Sequence, residues 1–322
     1  MKAAVIGIGV MGKNHARVYS EMEGVDLVGI ADLNQKAGKE IAGKYKCKYY
    51  KSHAELLEKE KPDAVSICVP TSLHYKIAKD VIKSGANLLI EKPIADNVED
   101  AVEIVRLARE AKLKLAVGHI ERFNPAVQEL KRLIDRGKLG KITSIVATRV
   151  GLFPPRIKDA NVIIDIAVHD IDIFNYLLGK EPVEISAAGG KALVNDREDY
   201  ADIFLKYNGT NGFIEVNWIT PVKLRMLNVT GTKGYARLNY VTQKLTLYES
   251  VYEKTFDEFG DFVLHFGEPK MDPINVNNRE PLKVELQDFI DAVKKGRHPL
   301  VSGEEGLKAL RIATDVMKAM KG

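Results

Sequence analysis

In the first third of the chain, short runs that are apolar at nearly every position alternate with longer stretches whose apolar residues recur at helical spacing. KAAVI (2–6), LVGIAD (27–32), DAVSICVP (63–70), NLLIEKP (87–93) and LKLAVGH (113–119) read as strands, and 97–111 reads as a helix between the last two. Strands apolar on both sides are buried on both sides, as in a parallel sheet wrapped by helices. The pattern predicts a doubly wound α/β domain. Past residue 120 it changes. Strand-like stretches at 141–151, 183–194, 200–207, 211–219, 225–232, 234–240 and 244–250 follow one another, mostly across short turns, and predict an antiparallel meander. Helices near 124–137 and 160–178 accompany it, giving an α+β domain with a large open, mostly antiparallel sheet and helices on one face. The other face needs a cover. A second copy of the chain would make this sheet the candidate for oligomerisation, and the segment 251–280, rich in Phe, Asp and Pro, is the alternative.

One predicted helix carries unusual chemistry. In IIDIAVHDIDIF (163–174), three carboxylates and an imidazole, Asp165, His169, Asp170 and Asp172, interrupt an otherwise apolar run. On a regular α-helix Asp165, His169 and Asp172 stand at i, i+4 and i+7, within about 60° of one another. Ile164, Ala167, Val168, Ile171, Phe174 and Leu178 cover the opposite side, with Ile166 and Ile173 flanking the stripe. Two readings are open: the stripe faces a cleft, or it is a solvated face beside a hydrogen-bonded core histidine.

Gly7, Gly9 and Gly12, with Ile8, Val10 and Met11 between them, form G-x-G-x-x-G directly after the first strand and at the start of a helix beginning near Met11. The first glycine makes the tight turn, the second admits a pyrophosphate to the backbone, and the third allows close helix packing. Asp32 ends the second strand 20 residues beyond Gly12. There a carboxylate accepts from ribose hydroxyls and repels a 2′-phosphate, so the expected cofactor is NAD rather than NADP.

Length and composition narrow the class. A chain of 322 residues exceeds what one core usually supports, and 45% hydrophobic with 29% charged residues is ordinary for a soluble globular protein. The net charge of +4 is spread among interspersed acids and bases, which argues against nucleic-acid and membrane partners and for a small molecule. Cys47 and Cys68 offer neither metal-ligand spacing nor a disulfide framework. No run has the form of a signal peptide or a bilayer span, so the expected location is the cytoplasm.

Oxidation of a secondary alcohol needs a hydride acceptor and a base for the hydroxyl proton. His169 is the better base candidate, since an imidazole with a pKa of about 6.5 suits neutral pH. Lys92, at a strand's carboxyl end, can hydrogen-bond the reacting oxygen or share in proton transfer. Asp165 can orient the imidazole or bind a neighbouring hydroxyl. Glu91 next to Lys92 reads either as part of the site or as the lysine's ion-pair partner.

The glycine turn, EKP at 91–93 and DIAVHDID at 165–172, a D-x-x-x-H-x-x-D helix, together resemble the glucose-fructose oxidoreductase and inositol dehydrogenase (Gfo/Idh/MocA) family over essentially the whole chain. The resemblance implies a two-domain oxidoreductase with Lys92 and His169 near the nicotinamide and Asp165 beside the sugar. It also implies cofactor contacts from Pro70, Thr71, His74, Glu91 and Lys92. The division then reads 1–121 for an NAD-binding Rossmann domain, 122–302 for the substrate and oligomerisation domain, and 303–322 for a last helix returning to the first domain. GHIERFNPA (118–126) and FPPR (153–156) resemble the branch that oxidises nucleotide sugars such as UDP-N-acetylglucosamine at C3. Arg122, Asn124 and Arg156 are donors of the kind a pyrophosphate or acetamido group needs. Two alternatives stand beside this one: a dehydrogenase of inositol, another polyol or an aldose, and an NAD-binding sensor without catalysis. Lys92, Asp165 and His169 together argue against the sensor, and the expected assembly is a homodimer or homotetramer.

Overall fold

The computed structural model describes residues 1–152, 160–194, 196–249, 252–256, 262–266 and 268–321. They divide into two units, residues 1–123 with 280–314 and residues 124–279 with 315–322.

The first unit is built on β1 (Lys2–Ile6), β2 (Asp26–Ala31), β3 (Lys48–Tyr50), β4 (Ala64–Ile67), β5 (Asn87–Glu91) and β6 (Leu115–Gly118). All pair in parallel, in the order β3-β2-β1-β4-β5-β6. Residues 3–6 of β1 and all of β4 are buried, as continuous apolar strands between two helical layers must be. Helices α1 (Val10–Glu21), α2 (Gln35–Tyr45), α3 (His53–Glu60), α4 (His74–Lys83) and α5 (Val98–Glu110) connect the strands. In this strand order the chain reverses direction across the sheet between β1 and β4, and ligands bind at the carboxyl ends beside that point.

The second unit holds α6 (Pro125–Asp135), β7 (Ile142–Val150), α7 (Val168–Leu178), β8 (Glu184–Gly190), β9 (Tyr200–Tyr207), β10 (Thr210–Asn217), β11 (Leu224–Gly231), β12 (Gly234–Asn239) and β13 (Lys244–Glu249). All seven anticipated strands are present, but they do not form a simple meander. The eight-stranded sheet runs β16-β13-β12-β11-β7-β10-β9-β8, with β16 at Lys270–Ile274, and β7 pairs in parallel with β10. Short turns encode the hairpins β9-β10 and β11-β12-β13, and a longer connection leads from β8 to β9; the insertion of β7 between the two groups is a long-range pairing that no turn specifies. β14 (Tyr252–Phe256) and β15 (Phe262–Phe266) pair with each other as a separate ribbon. Strict alternation of burial along β9 and β10 leaves one sheet face covered and the other open. Phe174 of α7 lies on the covered face, where a Cβ on Gly212 would stand 2.9 Å from its ring.

Two further expectations are corrected. Helix α8 (Pro281–Lys295) falls in the first unit, not with the substrate domain: its Leu282, Leu286, Phe289 and Ile290 share a core with Ala16, Val18 and Tyr19. Its apolar stripe announces a buried helix and says nothing about which sheet it covers. The polar-stripe helix is not a regular α-helix either. Residues Ile163–Ala167 form a π-helical turn, and α7 begins only at Val168. The final helix, α9, spans Gly303–Ala319. Among the described residues, no helix is long and apolar enough to cross a membrane.

Candidate active site

The cofactor cradle follows from the glycines. Gly7 has φ +91°, and a Cβ there would stand 2.6 Å from the Cys68 carbonyl oxygen; a Cβ on Gly12 would reach 1.8 Å from Gly7 O. Only glycine lets the turn pass between β4 and α1 this closely. A Cβ on Gly9, by contrast, would meet nothing within 4 Å, and Gly9 caps α1 without a side-chain hydrogen bond. The first N–H groups of α1 therefore open onto free space suited to a pyrophosphate. The Asp32 carboxylate accepts from Ile8 N at 2.6 Å and from Asn34 N at 2.7 Å, so it ties the turn to the end of β2. A cleft of about 510 Å³ runs past Gly7, Gly9, Asp32, Leu33, Pro70 and Leu73. The exposed side chains of Val10 and Leu33 give its neighbourhood an apolar character. Thr71 starts the short 3-10 turn Thr71–Leu73, and Met11 is half-buried behind Val10. Turn, acid and cleft together fit a dinucleotide.

Two anticipated cofactor residues, His74 and Glu91, are hydrogen-bonded within the protein. His74 is buried, with Nδ1 2.8 Å from Pro93 O and Nε2 3.0 Å from Val69 O. Burial holds its pKa below the ordinary histidine value, against the opposing pull of those carbonyls and Glu91. Glu91 is held through both oxygens: Oε1 accepts from His15 Nε2 at 2.9 Å and Oε2 from Lys92 N at 3.3 Å. Burial pushes the Glu91 pKa up, yet the His15 hydrogen bond and nearby Lys92 outweigh it, leaving the group below its usual range. Lys92 itself is half-buried at the carboxyl end of β5. Folding also brings Cys68 to this place, within 4.8 Å of His15 and Glu91, a grouping that chain spacing could not announce. Burial and Glu91 push the Cys68 thiol well up, and His15 has its second nitrogen on Ser66, so His15 and Glu91 read as a buried hydrogen-bonded pair with the half-buried Cys68 beside it.

In the second unit the stripe residues separate. Asp165 and His169 are half-buried, while Asp170 and Asp172 are buried. Asp170 forms a bidentate pair with Arg149, at 2.7 and 3.0 Å, and the Arg149 guanidinium stacks 4.6 Å from the Tyr240 ring centre. This pair fixes the rotation of α7, whose next residue back is His169. Asn161 secures the π turn, accepting from Ile164 N and donating to Glu198. Nothing local in the sequence marks Asp170 as Arg149's partner, because the two are joined only by packing.

The donors proposed for a nucleotide sugar are relocated as well. Arg122 is 3% exposed and pairs with Glu305 at 2.8 Å, tying the turn after β6 to α9. Asn124, 2% exposed, caps α6 by accepting from Ala126 N and donates to Tyr240 O. Arg156 lies outside the described residues.

A glycine turn, an acid ending β2 and a 3-2-1-4-5-6 sheet define a dinucleotide-dependent oxidoreductase of the Rossmann class. The oxidoreductase family with an NAD-binding Rossmann fold, Gfo/Idh/MocA, matches residues 1–119, and the C-terminal domain of that family matches residues 127–237. The chain belongs to this family, and NAD is its cofactor. It is 30% identical to the UDP-N-acetylglucosamine 3-dehydrogenase of Acidithiobacillus ferrooxidans over 100% of its own length and 97% of that protein's. The solved structure of that enzyme superposes with a TM-score of 0.87 at 29% identity, covering 100% of this chain and 98% of the other. An inositol 2-dehydrogenase of Rhizobium meliloti is 26% identical over 99% of this chain and 97% of that protein.

Proposed function

We propose that this oxidoreductase removes hydrogen from a secondary hydroxyl of a sugar, with UDP-N-acetylglucosamine oxidised at C3 as the first candidate. The observation that carries the substrate is the full-length likeness to a UDP-N-acetylglucosamine 3-dehydrogenase. Arg122 and Asn124 do not add to it, since both are committed within the fold. Bound NAD supplies the hydride acceptor. His169 takes the hydroxyl proton, Lys92 donates to the reacting oxygen as negative charge builds on it, and Asp165 orients the imidazole or holds a neighbouring hydroxyl. We also propose assembly into a homo-oligomer through the open sheet face, where Phe213 is 44% exposed and packs on Phe204 at 5.1 Å between ring centres.

The test is NAD reduction by the purified protein against UDP-N-acetylglucosamine, other UDP-sugars, myo-inositol and aldoses. The expected result is selective turnover of UDP-N-acetylglucosamine. Turnover of myo-inositol with none of the UDP-sugars would replace the nucleotide sugar with the polyol reading, which the inositol dehydrogenase relative supports.

A further inference from the structure

Lys92 stands between two residues that are each held by a buried histidine. On one side, the Glu91 side chain is bound by His15, which projects from α1 and is itself fully buried. A carboxylate can only accept, so His15 carries a proton on Nε2, and its Nδ1 is hydrogen-bonded to the Ser66 hydroxyl of β4, 3.0 Å away. The Ser66 hydroxyl is also hydrogen-bonded to the Tyr19 hydroxyl at 2.8 Å. Every member of the series Tyr19, Ser66, His15, Glu91 is thereby satisfied without water. On the other side, the Pro93 carbonyl meets Nδ1 of His74 at 2.8 Å, and His74 opens α4. Both histidines ride on elements that line the nucleotide cleft: α1 carries the glycine turn, and α4 follows the Pro70–Leu73 wall.

We propose that His15 and His74 are positioning residues for Lys92, holding its two chain neighbours so that the same helices that form the dinucleotide cleft also set where the lysine amine stands. This rests on the role given to Lys92 above. Glu91, its pKa kept below the usual range by His15 against its burial, is the residue whose chain position fixes where Lys92 begins. The arrangement goes beyond ordinary core hydrogen bonding because both contacts fall on the residues immediately flanking Lys92.

The experiment compares His15→Phe, which keeps ring volume and loses the hydrogen bond, with His15→Gln, which can still donate to Glu91. The readouts are NAD dissociation constant, kcat with UDP-N-acetylglucosamine, and the rate at which acetic anhydride acetylates Lys92 in the NAD-bound protein, read by mass spectrometry against Lys61. His15→Phe should lower kcat by on the order of 10-fold, inside the roughly 10²-fold cost of misplacing a reacting group, with little change in NAD affinity. Lys92 acetylation should change by about threefold as its amine leaves its set position, while Lys61 stays constant. His15→Gln should restore both. His74→Leu should act in the same direction, and His74→Asn, which keeps a donor toward Pro93 O, should restore it. In a Lys92→Ala background, His15→Phe should cost no further activity. Unchanged Lys92 acetylation, or an equal loss of kcat with and without Lys92, overturns the proposal and leaves the histidines as core residues only. Full turnover by Lys92→Ala alone sinks the catalytic role of the lysine instead. The acetylation rates still decide the positioning claim, as they do where UDP-N-acetylglucosamine is not turned over.

Discussion

Asp32 accepts from two backbone N–H groups and still borders the cleft, so its removal acts on the turn and on the ribose together. Asp32→Ala should raise the NAD dissociation constant on the order of 10-fold, the worth of a hydrogen bond to a charged group, and should narrow any preference over NADP; calorimetric titration with both cofactors checks it. His169 and Asp170 are neighbours with opposite expected phenotypes. His169→Ala should lower kcat on the order of 10² or more while melting hardly moves. Asp170→Ala leaves Arg149 buried without its carboxylate, and chemical denaturation should show a loss of about 3–5 kcal/mol. Acid should also destabilise the first unit. His74 is held below its ordinary pKa in the fold, so the unfolded chain binds more protons there; the stability this gives is present above about pH 6.5 and is lost as the pH falls. Glu91, also depressed, adds a second loss at lower pH. Thermal melts of wild type and His74→Asn across pH 5 to 8 should differ in slope on the acid side, and parallel curves would remove His74 from this account.

At the scale of elements, what could be read from the chain was whatever repeats locally. The glycine turn, Asp32 and the buried parallel strands announce themselves by spacing and continuous apolarity. The strands of the second sheet do so by alternation and turns. The three residues of β3 carry too little pattern to be seen. The parallel neighbourhood of β7 and β10, the destination of α8 and the Arg149–Asp170 pair are long-range choices made by packing. The π turn at Ile163–Ala167 is subtler: the residues read as a helix, and the widened turn changes which side Asp165 presents relative to His169. For the same reason Arg122 and Asn124 were recognised as donors while their recipients, Glu305 and Tyr240, could not be guessed. The tightest local device is Gly12. Gly12→Ala places a methyl group against Gly7 O and should cost about 1–3 kcal/mol and abolish high-affinity NAD binding, measurable by unfolding and titration on one preparation.

For the molecule as a whole, the open sheet face is the feature with the largest expected effect. Multi-angle light scattering should show a dimer or tetramer, and Phe213→Lys, which puts a charge at its aromatic centre, should shift the population toward monomer without unfolding it. A wild-type monomer at micromolar concentration would count against that assembly.

The division of the chain bears on how the protein is made. The NAD-binding unit takes residues 1–123 and then 280–314, so most of the second unit, residues 124–279, is inserted within it. On the ribosome the six parallel strands emerge first, but the core that Ala16 and Tyr19 of α1 share with them is incomplete until Leu286, Phe289 and Ile290 are synthesised. The first part of the protein to be translated is therefore among the last to be finished. A nascent chain arrested just beyond residue 123 should remain sensitive to protease, and one arrested with residue 314 clear of the exit tunnel should become resistant across its N-terminal strands.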